Sequence, residues 1–269
     1  GDVYKRQDVQ LTFNELGEAS LGQPSLVLLH PFPFDARLWN QVAELLADEG
    51  WHVIVPNLRG CGTSPLGHDE PDLAVVANDV WELLDDLHIS HPVVLGISLG
   101  GYVAMAMMRS EPGRITGLGL IDTKATADLL EVRVQRHITA KQMRTLPDVH
   151  DFARTMVPRL VSPATLALRP QVEHQVREWI TQAHPLAIAW LQEAMAERPD
   201  SVHDLQRFDG PVLLMRGSDD VVCSESDYEV MRAASNKSHS VTMADCGHLP
   251  PVENPAQTAH EIVIWLGTF

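Results

Sequence analysis

Ser98 stands between two glycines in Gly96-Ile97-Ser98-Leu99-Gly100. The apolar run Pro92-Val93-Val94-Leu95 precedes it, and a helix-like run, Tyr102 to Met108, follows. G-x-S-x-G between a strand and a helix is a turn so tight that its serine is strained and its flanking positions have no room for side chains. The turn lifts the serine Oγ to the end of the strand, with a helix N-terminus behind it. A serine so placed can attack a carbonyl. A hydroxyl is too weak a nucleophile near neutral pH without a base, and the base needs an acid to orient it. Cys246-Gly247-His248-Leu249-Pro250-Pro251 puts a histidine between the last predicted strand and the last predicted helix. Arg216-Gly217-Ser218-Asp219-Asp220 follows the strand Val212-Leu213-Leu214-Met215 and supplies two adjacent aspartates, of which one at most can face a given imidazole. Asp122, after an earlier strand, competes as the acid. A glycine-rich turn and a surface-loop histidine are the bland alternatives. They weaken because all these residues stand at strand ends, in the chain order Ser, Asp, His.

A tetrahedral oxyanion needs backbone donors. The amide of Leu99, next to the nucleophile, is one. The other is expected from His30-Pro31-Phe32-Pro33-Phe34-Asp35, after the second strand. Pro31 and Pro33 carry no N–H, so Phe32 has the first amide available. Sequence leaves the Phe32-Pro33 peptide open between cis and trans. No H-E-x-x-H or C-x-x-C is present, and His88 and His91 read as a surface loop, so no metal or cofactor is expected.

These side chains need a scaffold, and the apolar pattern describes one. Predicted strands run over Val9–Phe13, Ser25–Leu29, Trp51–Pro56, Pro92–Leu95, Ile115–Ile121, Val212–Met215 and Ser238–Met243. Between them fall helical patterns at Leu38–Asp48, Leu73–Leu87 and Pro255–Leu266, the last with Asn254 as N-cap and Pro255 at its first position. Apolar strands alternating with helices imply an α/β fold, a mostly parallel sheet covered on both faces. From Leu120 to Asp209 the alternation stops, and no glycine occurs there although the chain has 17. Ser162-Pro163 and His184-Pro185 read as N-cap pairs and Pro170 as a third helix start, so this stretch is expected to be a helical cap over the sheet's C-terminal edge. The expected division is a core of residues 8–124 and 208–269 and a cap of residues 125–207, with residues 1–7 a non-native or disordered extension.

The 269-residue chain has a formal net charge of −16, which disfavours nucleic acid and anionic membrane surfaces as partners. No apolar run reaches the length of a membrane span and no secretory pattern opens the chain, so a cytoplasmic protein is expected. The three cysteines are scattered, which argues against a disulfide framework.

Taken with Asn57-Leu58-Arg59-Gly60-Cys61-Gly62-Thr63-Ser64, Gly100-Gly101, Gly217-Ser218-Asp219-Asp220 and Gly247-His248-Leu249-Pro250, the chain resembles the α/β-hydrolase superfamily, in the form with a small helical cap. The family's G-x-x-D pattern implies that the second aspartate is the acid, which selects Asp220 and leaves Asp219 to solvent. Three departures stand out: Pro31 where glycine is usual, Asn57 where aspartate is usual, and Ile97 where histidine is frequent. The resemblance implies a serine carboxylic-ester hydrolase for small apolar esters or lactones, with Ser98, Asp220 and His248 as triad and the Phe32 and Leu99 amides as oxyanion hole. An enol-lactonase of aromatic degradation, a cofactor-free perhydrolase or haloperoxidase-like enzyme, and a slow or non-catalytic small-molecule receptor are the alternatives. Phe34, Ile97, Trp190 and Leu249 are expected to line the pocket. Trp179, Met143 and Met156 belong either to the pocket or to the cap's own core. Oligomeric state is not readable from the sequence.

Overall fold

The computed structural model describes residues 9–269; the expected extension at residues 1–7 lies outside them. Seven strands form one sheet: β1 (Phe13–Leu16), β2 (Leu26–Leu29), β3 (Val53–Pro56), β4 (Val93–Ile97), β5 (Gly117–Ile121), β6 (Val212–Gly217) and β7 (Ser238–Met243). Their order is β1-β3-β2-β4-β5-β6-β7, with β1 antiparallel to β3 and every other pair parallel. β1 begins where the predicted first strand ends. Val9 and Leu11 are buried as expected, but only Phe13–Leu16 pairs with β3.

The helices of the first half are α1 (Asn40–Asp48), α2 (Leu73–Asp86) and α3 (Leu99–Ser110). Between β5 and β6 come α4 (Leu130–Thr145), α5 (Val149–Leu160), α6 (Pro163–Leu168), α7 (Pro170–Thr181), α8 (Pro185–Ala196) and α9 (Val202–Arg207). The chain ends with α10 (Glu225–Ala234), α11 (Pro250–Glu253) and α12 (Pro255–Leu266). The proline-based starts have local causes. Ser162 accepts from the Thr165 amide, His184 from Leu186 and Asn254 from Gln257, each ahead of a proline that needs no N–H partner.

Strand residues alternate between two cores, as the pleat requires. Val27, Leu29, Val94, Leu118, Leu120 and Leu214 pack with α2 and α3, whereas Leu26, Leu28, Val93, Leu95, Leu213 and Met215 pack with α1 and α12. Register then positions the chemistry. Gly96 lies opposite Leu29, Ile97 opposite Ile121, Ile121 opposite Met215, and Gly217 opposite Met243. The parallel strands therefore finish at one level, and the loops after β2, β4, β5, β6 and β7 share the C-terminal edge, where sheets of this type bind ligands.

Candidate active site

Ser98 occupies the sharp turn between β4 and α3, with φ 54° and ψ −114°, a left-handed value that a non-glycine residue holds only when its surroundings enforce it. Its amide donates to the Ile121 carbonyl at 3.0 Å, and its carbonyl accepts from the Thr123 hydroxyl at 2.8 Å. A Cβ on Gly96 would lie 2.1 Å from the Gly100 oxygen, and one on Gly100 would lie 2.2 Å from the Leu29 oxygen, so the elbow closes only with both glycines.

His248 follows β7 and is 2% exposed; its Nδ1 lies 2.9 Å from Asp220 Oδ2. The other Asp220 oxygen accepts from the amides of Val222 and Cys223 at 2.8 and 3.1 Å. Burial alone would raise the Asp220 carboxyl. The charge and hydrogen bond of His248 and the Cys223 amide outweigh it and hold the group well below the usual carboxylate range. Asp219 is exposed, as expected.

Asp122, the competing acid, is buried behind Asp220, with Oδ1 accepting from the Gly217 amide at 2.9 Å. Burial and the neighbouring Asp220 charge push its carboxyl well above the usual range. Two carboxyls side by side are thus driven apart, one toward the ion and one toward the acid. A carboxyl raised by folding contributes stability that is full below the unfolded value near pH ~4 and is lost as pH rises through the folded value. Asn at position 122 keeps the acceptor and removes the titration. The difference in Tm between Asp122→Asn and wild type should therefore grow in the variant's favour as pH rises from about 4. A constant difference across thermal melts from pH 4 to 8 would contradict this.

The histidine loop is held by a residue that the sequence did not announce. Glu253 of α11 is fully buried, and its carboxylate accepts from the amides of Gly247 and Leu249 at 2.9 and 3.0 Å, on either side of His248. The same carboxylate accepts from the Ser162 amide at 2.7 Å and the Thr165 hydroxyl at 3.0 Å, both from the α5–α6 junction. The His248 amide itself donates to the Leu160 carbonyl at 2.9 Å. The inserted helices therefore fasten the His248 backbone as well as roofing the sheet edge. Glu253→Gln replaces an acceptor by a donor facing N–H groups. Each orphaned buried amide should cost about 1–3 kcal/mol, read by denaturant unfolding, and kcat should fall with it.

On the other side of the serine, Leu99 opens α3, so its amide has no partner within the helix. The Phe32-Pro33 peptide is cis. The loop is braced by His30, which is fully buried; its Nε2 accepts from the Leu58 amide at 3.0 Å, leaving Nδ1 to donate to the Pro31 carbonyl at 2.9 Å. Burial lowers His30, which keeps this neutral tautomer in place.

A cavity of about 780 Å³ opens beneath the inserted helices, with Ser98, His248 and Phe32 on its wall. Met143 and Met156 line it, but none of the four expected pocket residues does. Ile97 and Leu249 point into the core beside α1 and α12, and Phe34 packs edge-on against Trp179 at 6.3 Å. Trp190 fastens α8 to the core instead. Its indole N–H donates to the Asp69 carbonyl at 2.8 Å, and its ring lies 5.6 Å from the guanidinium of Arg59, a buried residue paired with Asp79.

Among the described residues, Asp220, Cys223 and His248 are the one group whose ligand atoms lie close enough for a metal, within 4.8 Å. They fit one poorly. His248 and Asp220 engage each other, and the Cys223 thiol, raised well above its usual range by burial, donates to the Asp122 carbonyl at 3.3 Å. Also among the described residues, no helix is long and apolar enough to cross a membrane.

The sequence profile of the alpha/beta hydrolase fold family matches residues 24–255, and the chain belongs to that family. A thermophilic esterase from Thermogutta terrifontis, solved with malate bound, superposes with a TM-score of 0.92 at 34% identity, over 97% of this chain and 94% of that one. The enol-lactonase from Burkholderia xenovorans LB400 shares the fold, with a TM-score of 0.87 at 23% identity over 96% and 97% of the two chains. Among curated sequences, the dihydrolipoyllysine-residue acetyltransferase component of an acetoin cleaving system from Pseudomonas putida is 25% identical over 91% of this chain; the match spans 64% of that longer protein.

Proposed function

We propose that the protein is a serine hydrolase of small carboxylic esters or lactones. The observation that carries this reading is His248, bonded to the buried Asp220 and lining the same cavity as a serine held at φ 54°. Ser98 Oγ attacks the ester carbonyl as His248 Nε2 takes its proton. Asp220 keeps the proton of Nδ1 in place and stabilises the imidazolium. The Leu99 and Phe32 amides receive the charge on the carbonyl oxygen. His248 returns the proton to the departing alcohol, and a water activated by the same imidazole releases the acid from Ser98. The esterase from Thermogutta terrifontis, similar over nearly its whole length, favours this reading over a binding protein. The test is kcat/KM across nitrophenyl esters of increasing acyl length, several lactones and an enol-lactone, with acetate plus hydrogen peroxide as a further arm. Saturable ester or lactone hydrolysis is expected. Tight binding of such compounds without turnover would make the protein a receptor, and turnover confined to the peroxide arm would make it a perhydrolase.

A further inference from the structure

The cavity has a cationic floor. Lys124 follows Thr123, whose hydroxyl holds the Ser98 carbonyl, and Tyr102 stands one helical turn beyond Ser98 on α3. Both line the cavity that holds Ser98, and both also line a second cavity of about 320 Å³. Tyr102 is 6% exposed, and its hydroxyl, which bonds to no other described residue, is open to the cavities that it lines. Its ring carries the Arg198 guanidinium at 3.9 Å, and Arg198 is neutralised by Asp128 at 2.8 Å. Asp128 is shared with Arg136 at 2.6 Å.

The Lys124 ammonium feels the charges of Tyr102, Cys223, Asp227 and Arg198. Asp227 is the single carboxylate among them, and it lies 3.7 Å away, beyond hydrogen-bond range. The Asp227 oxygen is already engaged by the Ser224 amide at 2.9 Å in the capping box of α10. The other acidic residues of the cavity, Glu131, Asp148 and Asp151, are exposed at its rim. A chain of net charge −16 thus presents, in the cavity that holds its serine, an ammonium with spare donors and a hydroxyl open to the same space.

We propose that Lys124 and Tyr102 form a subsite for a carboxylate on the acyl part of the substrate, so that the preferred esters or lactones carry a free acid group a few bonds from the scissile carbonyl. This rests on the ester-hydrolase reading above. The ammonium and the phenol hydroxyl both donate to the carboxylate, while the carbonyl reaches Ser98. A carboxylate accepts from the phenol as well as from the lysine, which an alkyl chain cannot do.

The experiment compares kcat/KM for the 4-nitrophenyl monoester of adipic acid with that for 4-nitrophenyl hexanoate, each corrected for spontaneous hydrolysis, and reads their ratio in the full-length enzyme. The ratio should exceed one in wild type. It should fall about tenfold or more in Lys124→Met and severalfold in Tyr102→Phe, and recover most of the way in Lys124→Arg, because a charged donor to a carboxylate is among the stronger hydrogen bonds. Added salt should shrink it. Tyr102→Phe removes a single oxygen and keeps the ratio measurable if the lysine variant does not fold. A wild-type ratio of one or less, or a ratio unmoved by both Lys124→Met and Tyr102→Phe, would overturn the subsite and leave Lys124 as the ion-pair partner of Asp227, with ester hydrolysis intact. Failure to hydrolyse either ester, with Ser98 unreactive toward a fluorophosphonate, would instead overturn the reading on which the subsite depends.

Discussion

Ser98→Ala is expected to lower ester hydrolysis by about 10⁴-fold or more, with the fold unchanged. The substitution removes one oxygen at a position whose backbone is fixed by the Ile121 carbonyl and the Thr123 hydroxyl. It leaves the His248–Asp220 pair and the cavity in place, so substrate should still bind. Residual rate comes from binding and from the Leu99 and Phe32 amides. Labelling by a fluorophosphonate should disappear in the same variant, and circular dichroism and Tm should stay near wild type. Persistent labelling, or activity within tenfold of wild type, would remove Ser98 from the chemistry and move the nucleophile elsewhere.

Asp220→Asn should cost about 10⁴-fold in kcat, whereas Asp122→Asn and Asp219→Asn should cost far less. An amide at position 220 can turn its NH₂ toward His248 Nδ1, which selects the tautomer with its proton on Nε2, unable to accept from Ser98. Asp122 contacts the Gly217 amide and not the imidazole, and its carboxyl is already driven toward the neutral form, which asparagine imitates. Steady-state kinetics of the three variants on one good ester separates them. An inactive Asp122→Asn beside an active Asp220→Asn would reassign the acid to the loop after β5.

The signals that proved readable in the sequence are local ones. Proline at a first helical position, a polar cap before it, and glycine where two backbones touch all act within a few residues, so α6, α7, α8, α12 and the elbow stand where they were expected. Strand ends read from the sequence sufficed to place Ser98, Asp220 and His248 on one sheet edge, although β7 is largely polar and half-exposed. The pocket wall was not readable in this way. Which face of α4, α5 or α8 looks into the cavity depends on how those helices pack, and the largest aromatic of α8, Trp190, is turned toward Arg59 and Asp69 instead. Glu253 and His30 were invisible for another reason. Their distant partners, the Ser162 amide and Thr165 hydroxyl for Glu253 and the Leu58 amide for His30, meet them only in the folded chain, so no local pattern marks them. Lys124, read only as the last residue of the core before the insertion, had no local pattern at all.

The junction that Glu253 makes has a bearing on recombination. Helical insertions of this kind invite exchange between relatives as a way to transplant substrate preference. In this chain a swap of residues 125–207 would also replace Leu160, Ser162 and Thr165, and so would change what holds the backbone around His248. A hybrid that retains residues 158–166 of the recipient keeps the base in register while the rest is donated. One that takes the whole insertion inherits a foreign seat for His248, and its loss of turnover would be misread as poor substrate fit. The transplantable unit is thus smaller than the inserted segment, because it leaves out the α5–α6 junction.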